Sequence, residues 1–341
     1  MFEPPLPLLR EVVHPGIDHA AATLIKKSSS PASVYRLALE GAPDSQRPQT
    51  LIAKVIAPGW PDDTFGHLRE TRFYAGIAPA LNLPLPRVYY AAKQPGTENT
   101  LILMEDVGTT HVFPDPTHCW TMAEIRPVVT AYARLHAHSV PAPPPAWFLP
   151  RHEMRLRETA ADLPLMVQEL VERMVWPPLP GFEDLLDRVS AAADQYANEP
   201  ASLLHNDVFP PNAALPKIAG GDVLLFDWEM LSWGLPEMDL AYMFLQPFGS
   251  HRRLERGQVL AWYWQAREER AGDRAVLPPP PERAARQRYA DELWALWLIP
   301  VAHKMAAHPF PRRTFPRVFW DAMLPLLGER LGRLSRGSDI L

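Results

Sequence analysis

The stretch from Ser202 to Glu229 constrains this chain more than any other. It sets His205, Asn206, Asp207 and Asn212 in an otherwise apolar background and closes with Asp227-Trp228-Glu229. Gly220-Gly221 marks a turn between two short apolar runs, one ending at Leu215 and one starting at Val223. The runs read as an antiparallel hairpin about that turn. With Leu215 opposite Leu224, Asn212 falls opposite Asp227 at the open end, and Asp207 stands on the loop feeding it. Asp, Asn and Asp converging at a strand end supply hard oxygen ligands, suited to Mg²⁺ and unsuited to zinc. Five positions separate Asp207 from Asn212, enough chain to aim its carboxylate at a different atom from the metal.

Upstream, the sequence has the texture of a sheet. Val34–Leu39 alternates as a strand does, and Leu51–Ile56 is a buried-strand run broken only by Lys54. Together they predict an antiparallel hairpin with a long loop. The chain has only six lysines among its 34 basic residues, so a lysine inside an apolar strand is unlike chance surface decoration. Thr64–Ile77 predicts a helix whose Glu70, Phe73, Tyr74 and Ile77 share one face, which sets the Glu70 carboxylate on the apolar side. Arg87–Ala92 and Leu101–Glu105 read as further strands. Ile17–Lys27 reads as a short helix, with Asp18 near its start and lysines at its end, as the helix dipole prefers.

Past residue 105 the pattern turns helical. Thr121-Met122-Ala123-Glu124 is a capping box, and Ile125, Val128, Val129, Tyr132 and Leu135 continue one face. Helices are expected at Glu183–Ala197, Leu235–Leu245, Leu254–Arg270 and Glu282–Ala307, with an extended polyproline link at Pro278–Pro281. The predicted organisation is a strand-rich domain over 1–105 and a mainly helical domain over 106–341.

Composition removes several classes. A formal net charge of −5, with 47% hydrophobic residues, fits neither a disordered chain nor a nucleic-acid binder with a basic stripe. The longest apolar run, near Leu293–Ile299, is too short to span a bilayer and is stopped by Pro300. No secretory signal is visible at the start. A single cysteine, Cys119, forms no disulfide within the chain and fits a reducing cytoplasm. The expectation is a cytoplasmic protein, monomer or homodimer, with no nucleic acid or membrane as partner.

The pattern H-x-D-x₄-N followed by D-W-E resembles the catalytic and metal-binding segments of the aminoglycoside phosphotransferase and choline kinase family, relatives of the protein kinases. The distant elements fall in the family's order: Lys54 on a strand, Glu70 on the next helix, Met104–Val107 at the interlobe hinge, and Ala133–His136 on the helix before the catalytic loop. The resemblance implies an α+β, protein-kinase-like two-lobed fold, with an N-terminal antiparallel β-sheet lobe, one key helix, and a larger helical C-terminal lobe. It implies an ATP- and Mg²⁺-dependent phosphotransferase acting on a small-molecule hydroxyl, with GTP as the alternative donor.

Residue by residue, the resemblance makes Asp207 the catalytic base and gives Asn212 and Asp227 to the metal. It sets Lys54, paired to Glu70, on the α- and β-phosphates, and the hinge backbone from Glu105 to Val107 against the purine. His205 supports the loop and Asp239 braces it. The loop over the phosphates, Ser28–Ser33, departs from the family in having no glycine, which leaves Ser29, Ser30 and Ser33 as its phosphate-binding groups.

Two other functions fit parts of the sequence. One is a catalytically silent nucleotide-binding protein of the same fold. The other is a metal-dependent hydrolase using His205 and Asp207, which leaves Lys54 and Glu70 without a role. Trp262, Trp264, Trp294, Trp297 and Trp320 suit core packing better than an aromatic pocket. Arg252, Arg253, Arg256, Arg283, Arg286 and Arg288 crowd the expected acceptor region and weigh against a polycationic acceptor.

Overall fold

A computed structural model describes residues 2–27, 32–41, 46–58, 67–140, 144–245, 254–271, 277–307 and 317–336. The chain separates into two units, Met1–Phe113 with Ala214–Met230, and Pro114–Ala213 with Leu231–Leu341. Residues 214–230, counted with the second domain in the sequence reading, therefore group with the first unit.

The first unit is built on a five-stranded antiparallel sheet. Helix α1 (Leu6–Val12) precedes strands β1 (Ile17–Lys27), β2 (Ala32–Gly41) and β3 (Thr50–Ile56). Helix α2 (His67–Arg72) and strands β4 (Val88–Lys93) and β5 (Thr100–Glu105) follow, in the spatial order β1-β2-β3-β5-β4. Alternation in β3 sorts the two faces. Leu51, Ala53 and Val55 join Leu37, Leu101 and Leu103 in a core that α1 caps with Leu8 and Leu9. Lys54 belongs to the other set, paired across the ladder with Val34 and Ile102.

The expected hairpin of β2 and β3 forms, but Ile17–Lys27 is a strand rather than a helix. Its inward positions Ala20 and Ala22 are as small as its outward Ala21, so size does not reveal the period of two. Exposed Lys26 sits on the sheet's edge strand, where charge discourages pairing with another chain.

The hairpin about Gly220-Gly221 also forms. Strand Ala213–Pro216 lies between His111–Val112 and Leu224–Leu225 in a separate three-stranded sheet. The Lys217 ammonium ties this hairpin to the turn after β5 by donating to the Gly108 carbonyl at 2.7 Å.

The second unit is mainly helical. It contains α3 (Met122–His136), α4 (His152–Thr159), α5 (Leu163–Glu172), α6 (Phe182–Tyr196), α7 (Glu237–Leu245), α8 (Arg256–Ala271), α9 (Pro280–Ala307) and α10 (Arg317–Ser335). The capping box holds at the start of α3, where Thr121 accepts from the Glu124 N–H and Glu124 accepts from the Thr121 N–H. Pro280 and Pro281 enter the first turn of α9, where a missing N–H costs nothing, so only Pro278 and Pro279 remain as link. The apolar run Leu293–Ile299 lies within α9 and packs into the main core with Leu185, Val189 and Leu331. Among the described residues no helix is long and apolar enough to cross a membrane.

Glu237 opens α7 fully buried, at 0% exposure. Burial pushes its carboxyl up to about 7, although Arg286 and Arg267 pull the other way. Between pH 4.5, the ordinary value, and about 7, the folded chain holds a proton that the unfolded chain has released. Stability therefore falls as pH rises through this window, by on the order of 3 kcal/mol in all. Glu237→Gln should flatten that part of the profile in urea melts from pH 4.5 to 8. A variant whose profile runs parallel to wild type would show that Glu237 carries no such penalty.

Candidate active site

Two constellations hold the residues singled out from the sequence, one in each unit. In the first unit, the Lys54 ammonium donates to Glu70 Oε2 at 2.5 Å, Asp227 Oδ1 at 3.0 Å and Glu229 Oε1 at 3.0 Å. Its side chain is only 12% exposed and that of Glu70 only 2%, against 34% for Asp227 and 19% for Glu229. Burial alone would strip the proton from Lys54, but the three carboxylates outweigh it and hold the ammonium well above its usual range. Glu70 moves up to about 7, because burial and the neighbouring Asp227 and Glu229 charges exceed the pull of Lys54.

The backbone explains how these acids are presented. Asp227 follows strand Leu224–Leu225 with φ +64°, a left-handed conformation that Asp tolerates better than most side chains. A short 3₁₀ turn, Trp228–Met230, follows at once. It is fastened to α2, whose Arg69 donates to the Glu229 carbonyl. Beyond Arg72 the helix widens into a π turn, Phe73–Ile77, and the buried Phe73 ring stacks on buried Trp228 at 3.9 Å and 18°.

Glu70, Asp227 and Glu229 each offer an oxygen, and the three oxygens lie within 4.8 Å of one another. Three carboxylates beside one ammonium leave an excess of negative charge, and with no thiol or imidazole among them they fit a hard divalent cation such as Mg²⁺. Glu70 is already committed to Lys54, so Asp227 and Glu229 are the more accessible pair.

In the second unit, the short strand Ser202–Leu204 pairs with Ser232–Gly234 and leads into the loop of His205, Asn206 and Asp207. Fully buried Asp239 on α7 braces this loop. It accepts from the His205 N–H at 2.9 Å, the Asn206 N–H at 2.7 Å and His136 Nε2 at 3.0 Å. Burial alone would raise the Asp239 carboxyl, but His136, His205 and the backbone donor more than offset it and keep it below its ordinary value. Asn206 turns the chain with φ +60°. The Asp207 carboxylate then accepts from Asn212 Nδ2 at 2.7 Å on Oδ2 and from the Tyr242 hydroxyl at 3.1 Å on Oδ1. Because the Asn212 amide nitrogen is spent on Asp207, its Oδ1 is the atom a cation would take.

A family model described as the phosphotransferase enzyme family matches residues 30–277. The chain belongs to that family. No match is found among curated protein sequences. Among solved structures, a candidate aminoglycoside phosphotransferase of Ralstonia eutropha JMP134 superposes with a TM-score of 0.61 at 13% identity, covering 98% of this chain and 97% of that one. A microcompartment-associated aminopropanol kinase gives 0.56 at 16% identity, covering 98% and 99%. Spectinomycin phosphotransferase, solved with ADP and spectinomycin, gives 0.56 at 11% identity, covering 97% of each chain. At these identities the likeness speaks to the fold, which is protein-kinase-like and α+β.

Within this family member, the remaining sequence candidates are placed as follows. Ser29 and Ser30 lie outside the described residues. Ser33 sits inside β2, half-buried and paired with Lys27 and Val55. The Glu105 N–H donates to the Arg87 carbonyl, and the Val107 carbonyl accepts from the Thr110 N–H, so both groups are taken within the protein. Between them Asp106 binds the Arg36 guanidinium at 2.6 Å and caps the turn at Gly108. Trp264 and Trp294 are core residues. Arg256, Arg283 and Arg286 are paired with Asp291, Glu268 and Glu199, so they add little free charge for an acceptor to meet. Arg252 and Arg253 lie outside the described residues.

The sequence reading missed Glu229 and Tyr242. A signal existed for Glu229, two positions after Asp227 in the same D-W-E. None existed for Tyr242, whose contact with Asp207 spans 35 positions of chain.

Proposed function

We propose that this chain is an ATP- and Mg²⁺-dependent phosphotransferase that moves the γ-phosphate to a hydroxyl of a small molecule, with GTP as the alternative donor. The observation that carries this reading is the Lys54 cluster, a fixed ammonium among buried and half-buried carboxylates. Such a cluster suits an ion-bridged polyphosphate, which needs both a cation to touch its oxygens and anions to hold its metal. Membership of the phosphotransferase family supports the same reading.

In this reading Lys54, held by Glu70, contacts the α- and β-phosphates. Asp227 and Asn212 supply oxygen ligands for Mg²⁺, with Glu229 as a further carboxylate. The metal would neutralise charge on the phosphates. Asp207 accepts the proton of the acceptor hydroxyl, backbone groups of Glu105–Val107 other than the occupied Glu105 N–H and Val107 carbonyl serve the purine, and Ser29, Ser30 and Ser33 serve the phosphates. The structural neighbours act on compounds as unlike as an antibiotic and an amino alcohol, so the fold leaves the acceptor open. We assign the protein to the cytoplasm, working as monomer or homodimer.

The test is direct. Thermal melting should rise with Mg²⁺ and ATP together, and a screen of hydroxylated small molecules should reveal ADP release. In Asp227→Ala, the Mg²⁺-dependent part of nucleotide binding should vanish while the fold persists. Unchanged affinity for Mg²⁺–ATP in that folded variant would remove Asp227 from the metal site, and binding without turnover of any acceptor would favour the silent nucleotide-binding protein.

A further inference from the structure

We infer that Tyr242 is a positioning residue for the Asp207 carboxylate. The inference rests on the reading of Asp207 as the base and adds a residue outside the motif that suggested it.

The carboxylate is held at both oxygens by different donors. Asn212 Nδ2 reaches Oδ2 at 2.7 Å and also the Asp207 carbonyl at 3.1 Å, while the Tyr242 hydroxyl reaches Oδ1 at 3.1 Å. A carboxylate bonded at one oxygen can still turn about its last torsion. Bonded at both, it presents one orientation.

Tyr242 is itself anchored. Its ring stacks on Trp294 at 4.7 Å and 28°. Trp294 is 1% exposed and is pinned by its Nε1–H, which donates to the Met238 carbonyl at 2.5 Å. The phenol also keeps its proton, since burial and the Asp207 charge hold it well above its ordinary value, so it acts as a donor throughout the working pH range.

One helix thus holds the loop at two levels. Asp239 and Tyr242 are three positions apart on α7 and share a face. Asp239 fixes the backbone at His205 and Asn206, and Tyr242 fixes the side chain of the next residue. Such two-level support is what a base needs when an error near 1 Å costs orders of magnitude in rate.

Tyr242→Phe keeps the ring and its stack and removes only the donor. With Mg²⁺–ATP and water as acceptor, ADP release should fall about ten- to a hundredfold, with KM for ATP unchanged. In an Asp207→Ala background the same substitution should change the rate by less than about twofold, since no carboxylate remains to be positioned. A crystal structure of Tyr242→Phe should show the Asp207 carboxylate rotated or in two conformers. Three results would overturn the inference: a wild-type rate in Tyr242→Phe, an equal loss in both backgrounds, or an unmoved carboxylate. An Asp207→Ala protein as fast as wild type would instead sink the reading of Asp207 as base, and a parent that releases no ADP would leave the decision to the carboxylate's position in the crystal.

Discussion

In Asp207→Asn, kcat should fall by about 10²–10⁴-fold once an acceptor is in hand, the usual range for a lost general base. The substitution keeps the shape, and the amide can orient its one oxygen toward the Asn212 donor while its NH2 donates to the Tyr242 hydroxyl oxygen. What disappears is a group able to take the hydroxyl proton as the new P–O bond forms. Phosphoryl transfer proceeds through a loose transition state, so that proton leaves late and the carboxylate need not be strongly basic. Nucleotide affinity should be nearly unchanged, because in this reading Asp207 makes no ground-state contact with ATP. The check is kcat from single-turnover ADP release beside Kd from calorimetry. A near-wild-type kcat, with chemistry shown to be rate-limiting, would mean that another group is the base.

Lys54→Met should destabilise the fold by about 3–5 kcal/mol, the range for removing one partner of a buried pair. The ammonium serves three carboxylates at 2.5–3.0 Å, and without it Glu70, at 2% exposure and already pushed up to about 7, loses the one charge that favours its ionised form and must take up a proton to stay buried. Lys54→Met combined with Glu70→Met should recover most of the loss, because two apolar side chains of similar length replace the buried pair. Urea melts of the single and double variants test this. A single variant as stable as wild type would mean that the cluster is solvated and its charges are already screened.

Much of the fold was legible because local pattern and tertiary role agree. Leu51–Ile56, an apolar run broken only by Lys54, forms the expected strand, and the Thr121–Glu124 capping box starts a helix where expected. The same local logic failed at Ile17–Lys27, where a run of alanines hides the alternation and end charges that protect an edge strand mimic a helix dipole. At the site, Lys54, Glu70, Asp207, Asn212 and Asp227 stood out as polar residues where apolar ones belong. Glu229 and Tyr242 did not, because a carboxylate near a turn and an aromatic on a helix are ordinary until their partners are known. The occupied Glu105 N–H and Val107 carbonyl were equally invisible, since backbone pairing leaves no mark on residue type.

The stack of Phe73 on Trp228 has a consequence for control. In protein kinases, activity is switched by moving the glutamate-bearing helix toward or away from its lysine. Here the turn that follows Glu70's helix is clasped ring on ring to the residue between Asp227 and Glu229, and Arg69 adds a bond to the same segment. Swinging the helix out would break the Phe73–Trp228 stack, the Lys54–Glu70 pair and the Arg69 bond together, at a cost on the order of several kcal/mol. The chain is thereby built to hold Glu70 beside Lys54 rather than to release it.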